Sequence, residues 1–132
     1  GAPSSPVYAT SRLRDVEGTL GADARGMTVA YVFDQRGYVS TARGGRWSRR
    51  RIPGRVDAPP SAARGRATTL VAWESRNNIH ALINGRQRLI ARGPGTDKAP
   101  HAVVDPETGR AWIGWTHRGG DGRARALLLR VR

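Results

Sequence analysis

The sequence predicts an all-β fold built from repeats, and three observations carry that expectation. First, Val29-Ala30-Tyr31 returns as Val71-Ala72-Trp73 and again as Ile113-Gly114-Trp115, with starts 42 residues apart both times. A fixed period of this size marks a repeat architecture. Second, short apolar stretches of strand length are separated at even spacing by polar and glycine-rich turns, among them Arg36-Gly37, Asn77-Asn78, Asn84-Gly85 and Gly119-Gly120-Asp121-Gly122. Third, helical spacing of apolar residues is not sustained anywhere. Only Arg123 to Arg132 could be read as a helix, and there Leu127, Leu129 and Val131 sit at strand spacing, in register with the repeats.

Each element follows from the repeat order. The repeats run over about 15–54, 57–95 and 98–132, within one domain of 132 residues. Gly18-Thr19-Leu20, Pro60-Ser61-Ala62 and Pro100 to Val104 read as first strands. The lead-ins Asp57-Ala58-Pro59 and Lys98-Ala99-Pro100 match one another. The Val-Ala-Tyr/Trp stretches are second strands, beginning with Thr28 to Phe33. Tyr38 to Thr41, Ile79 to Ile83 and Ala124 to Val131 are third strands. Trp47 to Ile52 and Gln87 to Ala91 are fourth strands. Repeat three has no fourth strand of its own. Val7 to Leu13 alternates as a strand would and is expected to supply it as a displaced element, the circular offset by which a β-propeller closes its ring.

Composition bounds the function. There are no cysteines, which removes disulfides and thiolate metal sites. The apolar runs, Val29 to Phe33 and Leu127-Leu128-Leu129 among them, are far too short to span a membrane. The compartment stays open, with secretion the favoured expectation. Gly1 in place of Met is what a processed or trimmed chain would show. A net charge of +13 favours anionic partners, whether acidic glycans, other anionic polymers or nucleic acid. Every basic residue but Lys98 is arginine, and a GC-rich genome produces the same bias.

Ser40-Thr41-Ala42-Arg43-Gly44-Gly45-Arg46-Trp47 resembles the Asp-box of sialidase-like β-propellers, Ser-x-Asp-x-Gly-x-x-Trp. Ser40, Gly44 and Trp47 match, and Ala42 stands where that family has Asp. Repeat two keeps only Gly85. Ala99 to Gly109 followed by Ala111-Trp112-Ile113-Gly114-Trp115 resembles the first two strands of such a blade. The resemblance implies four-stranded blades and a lectin-like propeller. The box is a structural turn in that family, so no catalytic residue carries over. A β-trefoil, with three repeats of about 40 residues, is the alternative fold.

Candidate site residues divide into two groups. Tyr31, Trp73 and Trp115 recur at one repeat position and could form equivalent sugar-stacking platforms or pack blade on blade. Trp112 breaks the repeat, since its counterparts are Thr28 and Leu70, and Glu74 is an acid within a strand beside an aromatic. The second group is Arg43, Arg46, Arg49, Arg50, Arg51 and Arg55. Arginine pairs bidentately with phosphate, sulfate and carboxylate, although charges on an outer strand also guard it from aggregation. On that strand Arg49 and Arg51 should share a face with Trp47, opposite Arg46, Ser48 and Arg50. His80, His101 and His117 lack paired ligand spacing, so no metal or cofactor is expected. No catalytic constellation stands out, although two carboxylates meeting in space as a glycosidase pair stays open.

The functional expectation is a non-enzymatic, lectin-like module with repeated sites. An arginine-driven polyanion or nucleic-acid binder and a glycoside hydrolase are the alternatives. Propellers close with about 4–8 blades, so a chain encoding three is expected to form a six-bladed ring as a homodimer. The strand Ala124 to Val131 would pair with Val7 to Leu13 of the other copy.

Overall fold

The computed structural model of the chain describes residues 17–131. They form eleven antiparallel strands and no helix: β1 (Glu17–Asp23), β2 (Gly26–Phe33), β3 (Arg36–Arg43), β4 (Arg46–Arg55), β5 (Ser61–Gly65), β6 (Thr68–Ser75), β7 (Asn78–Ile83), β8 (Arg86–Ala91), β9 (Thr96–Val104), β10 (Ala111–Arg118) and β11 (Ala124–Val131). The all-β expectation holds, and Ala124–Val131 is a strand. The expected strand Val7 to Leu13 lies outside the described residues.

The strands form three sheets: β1-β2-β3-β4 (sheet 1), β5-β6-β7-β8 (sheet 2) and β9-β10-β11 (sheet 3). Each sheet is a meander of consecutive strands, joined by tight hairpins in sheets 1 and 2 and by the longer loops 105–110 and 119–123 in sheet 3. Five connections are two-residue loops with both residues at positive φ: Asp34-Gln35, Gly44-Gly45, Arg66-Ala67, Arg76-Asn77 and Asn84-Gly85. That is the mirror-image turn whose twist matches the strands it joins. The turn after β2 therefore falls on Asp34-Gln35, and Arg36-Gly37 opens β3. Gly37 serves packing there, since a Cβ on it would meet Val56 Cγ2 at 2.6 Å and Ile52 Cδ1 at 2.9 Å.

Two apolar layers hold the sheets together. Ala30, Val39, Ile52 and Val56 of the first unit pack on Ala62, Val71, Trp73 and Leu82 of sheet 2. The opposite face of sheet 2, with Leu70, Ala72, Ile79 and Ala81, packs on Val104, Ala111, Ile113 and Val131 of sheet 3. Sheet 2 is thus covered on both faces, and its strand β6 is buried along most of its length. Period-two alternation would leave one face polar, but β6 reads as a continuous apolar run because both of its faces are interior.

The first strands lie side by side, β1 against β5 and β5 against β9. A repeated hydrogen bond ties them. The Thr19 hydroxyl accepts from Ala62 N–H at 2.7 Å and donates to Pro60 O, and the Ser61 hydroxyl accepts from Ala102 N–H at 2.9 Å. Thr19 and Ser61 occupy the same register position, opposite Ala30 and Ala72 on their second strands. Gly21 allows the close approach of β1 to β5: a Cβ there would sit 2.8 Å from Ala63 Cα.

Candidate functional site

The recurrent aromatics follow from the register just described. Tyr31 is 3% exposed and Trp73 is 0% exposed. Trp73 lies in the layer between sheets 1 and 2 and stacks on its cross-strand neighbour His80, centroids 5.7 Å apart. Burial holds the His80 imidazole below its ordinary value. Tyr31 stacks on Tyr38, which stacks on Phe33, and Arg49 caps Tyr38 at 5.2 Å from the ring centroid. Faces covered in this way are packing surfaces, and a ligand arriving from solvent would find neither Tyr31 nor Trp73 open.

Trp115, at the same repeat position, is half-buried against sheet 2 and donates its indole N–H to Asp97 Oδ1 at 3.1 Å. His117 Nδ1 lies 2.7 Å from the same oxygen. Asp97 is 2% exposed and faces His117 across the β9–β10 ladder. A buried carboxylate shared by two ring N–H donors cross-links the two strands, since an unmet buried acceptor would be costly. Glu74 is buried, with Lys98 Nζ 3.8 Å from Oε2. Trp112 is half-buried on the opposite face of sheet 3, between Val103 on β9 and Arg130 on β11. The aromatic candidates are therefore spread over all three sheets and do not converge.

The arginines do converge. β4 is the outer strand of sheet 1, and Arg43, Arg46, Arg49, Arg50, Arg51 and Arg55 are all exposed. Register sets their faces as alternation predicts: Trp47, Arg49 and Arg51 oppose Ala42, Ser40 and Tyr38, while Ser48 and Arg50 oppose Thr41 and Val39. Arg55 is paired with Asp57, and Arg50 donates to Gly85 O at 2.6 Å across the gap to sheet 2. Arg43, Arg46 and Arg51 have no carboxylate partner among the described residues.

Between sheets 1 and 2 the row borders a groove with two chambers. The larger, about 350 Å³, is lined by Val39, Thr41, Ser48, Arg49, Arg50, Thr69, Val71, Leu82 and Gly85. The smaller, about 160 Å³, is lined by Asp23, Arg25, Arg43, Arg64, Ala67, Thr68 and Thr69. Thr69 belongs to both. Arg64 forms the floor. Its side chain is almost wholly buried, Nε sits 3.3 Å from Asp23 Oδ1, and Nη1 donates to Thr28 Oγ1 at 3.2 Å. The Nε–H still lacks a hydrogen-bond acceptor.

Partial burial works against the charge of Asp23. The backbone N–H groups of Arg25 and Gly26 and the Arg64 guanidinium outweigh it and hold the carboxyl below its ordinary range. Asp23 thus stays ionised and balances one guanidinium, leaving Arg25, Arg43 and Arg50 around the groove without a carboxylate partner among the described residues, while the Arg49 guanidinium lies on the other face of sheet 1, over Tyr38. Such a lining of guanidinium and hydroxyl donors accepts oxyanions, singly or in sequence.

Sequence alone does not single out Arg25, Arg64, Thr68 or Thr69. Arg64 carries a readable signal, a charged residue closing the small-residue strand Ser61-Ala62-Ala63. Its depth depends on the packing of sheet 1 against sheet 2, which no local pattern encodes. Among the described residues no three His, Cys, Asp or Glu side chains gather as metal ligands, and no helix is long and apolar enough to cross a membrane. No family model, curated protein or solved structure matches the chain.

Proposed function

We propose that this chain is a non-enzymatic module that binds an acidic glycan through the arginines of β4 and the groove beside them. Its sheets are read as propeller-type blades, and the working form as a homodimer. The observation that carries the binding reading is the two-faced arginine row of β4, opening on one side into a groove with its own buried guanidinium. The blade reading is supported by three meander sheets whose first strands lie side by side. A polymer with a carboxylate or sulfate on successive sugars could place one group in the small chamber and others along the outer strand.

Acidic glycan is preferred over nucleic acid because single-stranded nucleic acid is held largely by stacking of bases on open aromatic faces. Near the groove, Tyr38 is capped by Arg49 and Trp47 is half-buried. A glycan array probed at low and high salt tests the proposal. Retention should follow the density of acidic groups, fall with salt, and exceed retention on single-stranded DNA of equal charge. Binding confined to neutral sugars, or no binding to acidic ones at low salt, would contradict it.

A further inference from the structure

Every sheet in this fold has a forward face, turned toward the next sheet, and a back face, turned toward the one before. On the forward faces of sheets 1 and 2 the matching register positions are Ala30 and Ala72, with Val39 and Ala81 opposite them on the third strands. All four are buried. In sheet 3 the same positions are Gly114 and, opposite it, Leu128. Leu128 is 74% exposed, and Val103, two residues along β9 from His101 on the same face, is 54% exposed. Trp112 lies between Val103 and Arg130 on this face.

The back face of sheet 1 carries the other half of the mismatch. Leu20 faces Val29 as Ala62 faces Val71 and as Ala102 faces Ile113. Ala62 is buried under sheet 1, whereas Leu20 is 56% exposed. Among the described residues, one molecule therefore presents an apolar forward face without a covering sheet and a back face with an open leucine. The same forward-to-back junction is built twice inside the chain.

We propose that the forward face of sheet 3 docks on the back face of sheet 1 of a second copy of this chain, as a third use of the internal junction. The occupant is a second copy because the partner needed is a back face of this repeat, and sheet 1 supplies one. Two copies related by a two-fold axis satisfy both open faces at once, so the assembly closes. The repeated inner-strand hydrogen bond sets the register. Thr19 accepts from Ala62 N–H and Ser61 from Ala102 N–H. The third residue at that position is His101, which faces Gly114 as Thr19 faces Ala30. A ring nitrogen of His101 would accept from the backbone N–H of Leu20 in the second copy. Leu128, Val103 and Trp112 would pack around that contact, as Val39 and Ile52 pack on Val71 and Trp73 within the chain.

This inference rests on the blade reading of the sheets and not on anion binding, so mass and heparin retention can fail separately. The test is light scattering on the 132-residue chain and two charge variants, with circular dichroism to confirm folding. The wild-type chain should show twice its 14.3 kDa mass. Leu128→Glu and Leu20→Lys should each give a folded monomer. An equimolar mixture of the two should recover the dimer, because each mixed pair keeps one native junction and joins opposite charges at the other. His101→Ala should raise the dissociation constant about tenfold, roughly 1.4 kcal/mol shared between the two symmetry-related hydrogen bonds it removes. A folded wild-type monomer at high micromolar concentration would overturn the proposal, as would a dimer indifferent to both charge variants.

Discussion

Sheets 2 and 3 have near-identical strand order and opposite exposure. β7 and β11 are both third strands, yet β7 buries Ile79, Ala81 and Leu82, while all but the last residues of β11 are open or partly open. The apolar residues themselves do not explain this, since β11 carries three consecutive leucines. Neighbours do: sheet 2 lies between two sheets, and among the described residues sheet 3 packs on one. A strand in this fold acquires an interior only from the sheet beside it.

The comparison is broken most forcefully by placing one charge at matched positions. Ala81→Asp puts a carboxylate in the layer between sheets 2 and 3, where nothing pairs with it. The loss should be about 4 kcal/mol or more, enough to unfold a marginal domain. Leu128→Asp, at the equivalent position of sheet 3, should change protomer stability by no more than about 1 kcal/mol. Urea unfolding followed by circular dichroism, at a protein concentration where light scattering shows the unsubstituted chain as a monomer, measures both. Equal losses would mean that the forward face of sheet 3 is covered within a single protomer.

A second prediction sharpens the role of the buried arginine that separates the groove from the rest of the sheet 1–sheet 2 layer. Asp23→Asn removes the carboxylate beside Arg64 and leaves a buried guanidinium unbalanced, a loss of about 3 kcal/mol. The pH dependence has a definite sign. The folded-state pKa of Asp23 lies below its ordinary value of 3.8, so its contribution is complete above that value. It is lost as pH falls through the lower, folded value. Asp57 behaves alike: burial opposes its charge, and the Arg76 N–H, Arg55 and Lys98 prevail. The wild-type protein should lose stability steeply below about pH 4, and Asp23→Asn should flatten that limb. An unchanged acid limb in the variant would show that the Asp23–Arg64 pair contributes nothing to the layer.

Much of this architecture is legible in the sequence for local reasons. Alternation sets the face of each arginine on β4, and the correspondence of β2, β6 and β10 follows from the 42-residue echo. What escapes depends on sheet-to-sheet distance. Gly37 reads as a turn glycine and is a packing glycine against Ile52 and Val56, and Gly21 is a packing glycine because β5 crosses close to it. Tyr31 and Trp73 can be read as platforms or as packing; the neighbouring sheet covers Trp73, whereas Tyr31 stacks on Tyr38 of its own sheet. Arg64 needs the Thr28 hydroxyl and the Asp23 carboxylate brought to it across the same interface.

The central claim is that the groove, and not positive charge at large, receives the acidic polymer. The most direct measurement is the salt dependence of affinity for a fluorescent heparin oligosaccharide, compared between two triple variants of equal charge. Arg25→Ser, Arg43→Ser and Arg50→Ser together remove guanidinium groups from the groove. Arg46→Ser, Arg51→Ser and Arg55→Ser together remove as many from β4 outside it. Every guanidinium that pairs with an acidic group of the polymer should, once removed, lower the slope of log K against log salt by about 1. The groove triple should lose a slope of about 2–3 and at least a hundredfold in affinity at low salt, and the outer triple less than half of either. Equal losses in the two variants would contradict the claim and leave only a diffuse electrostatic surface.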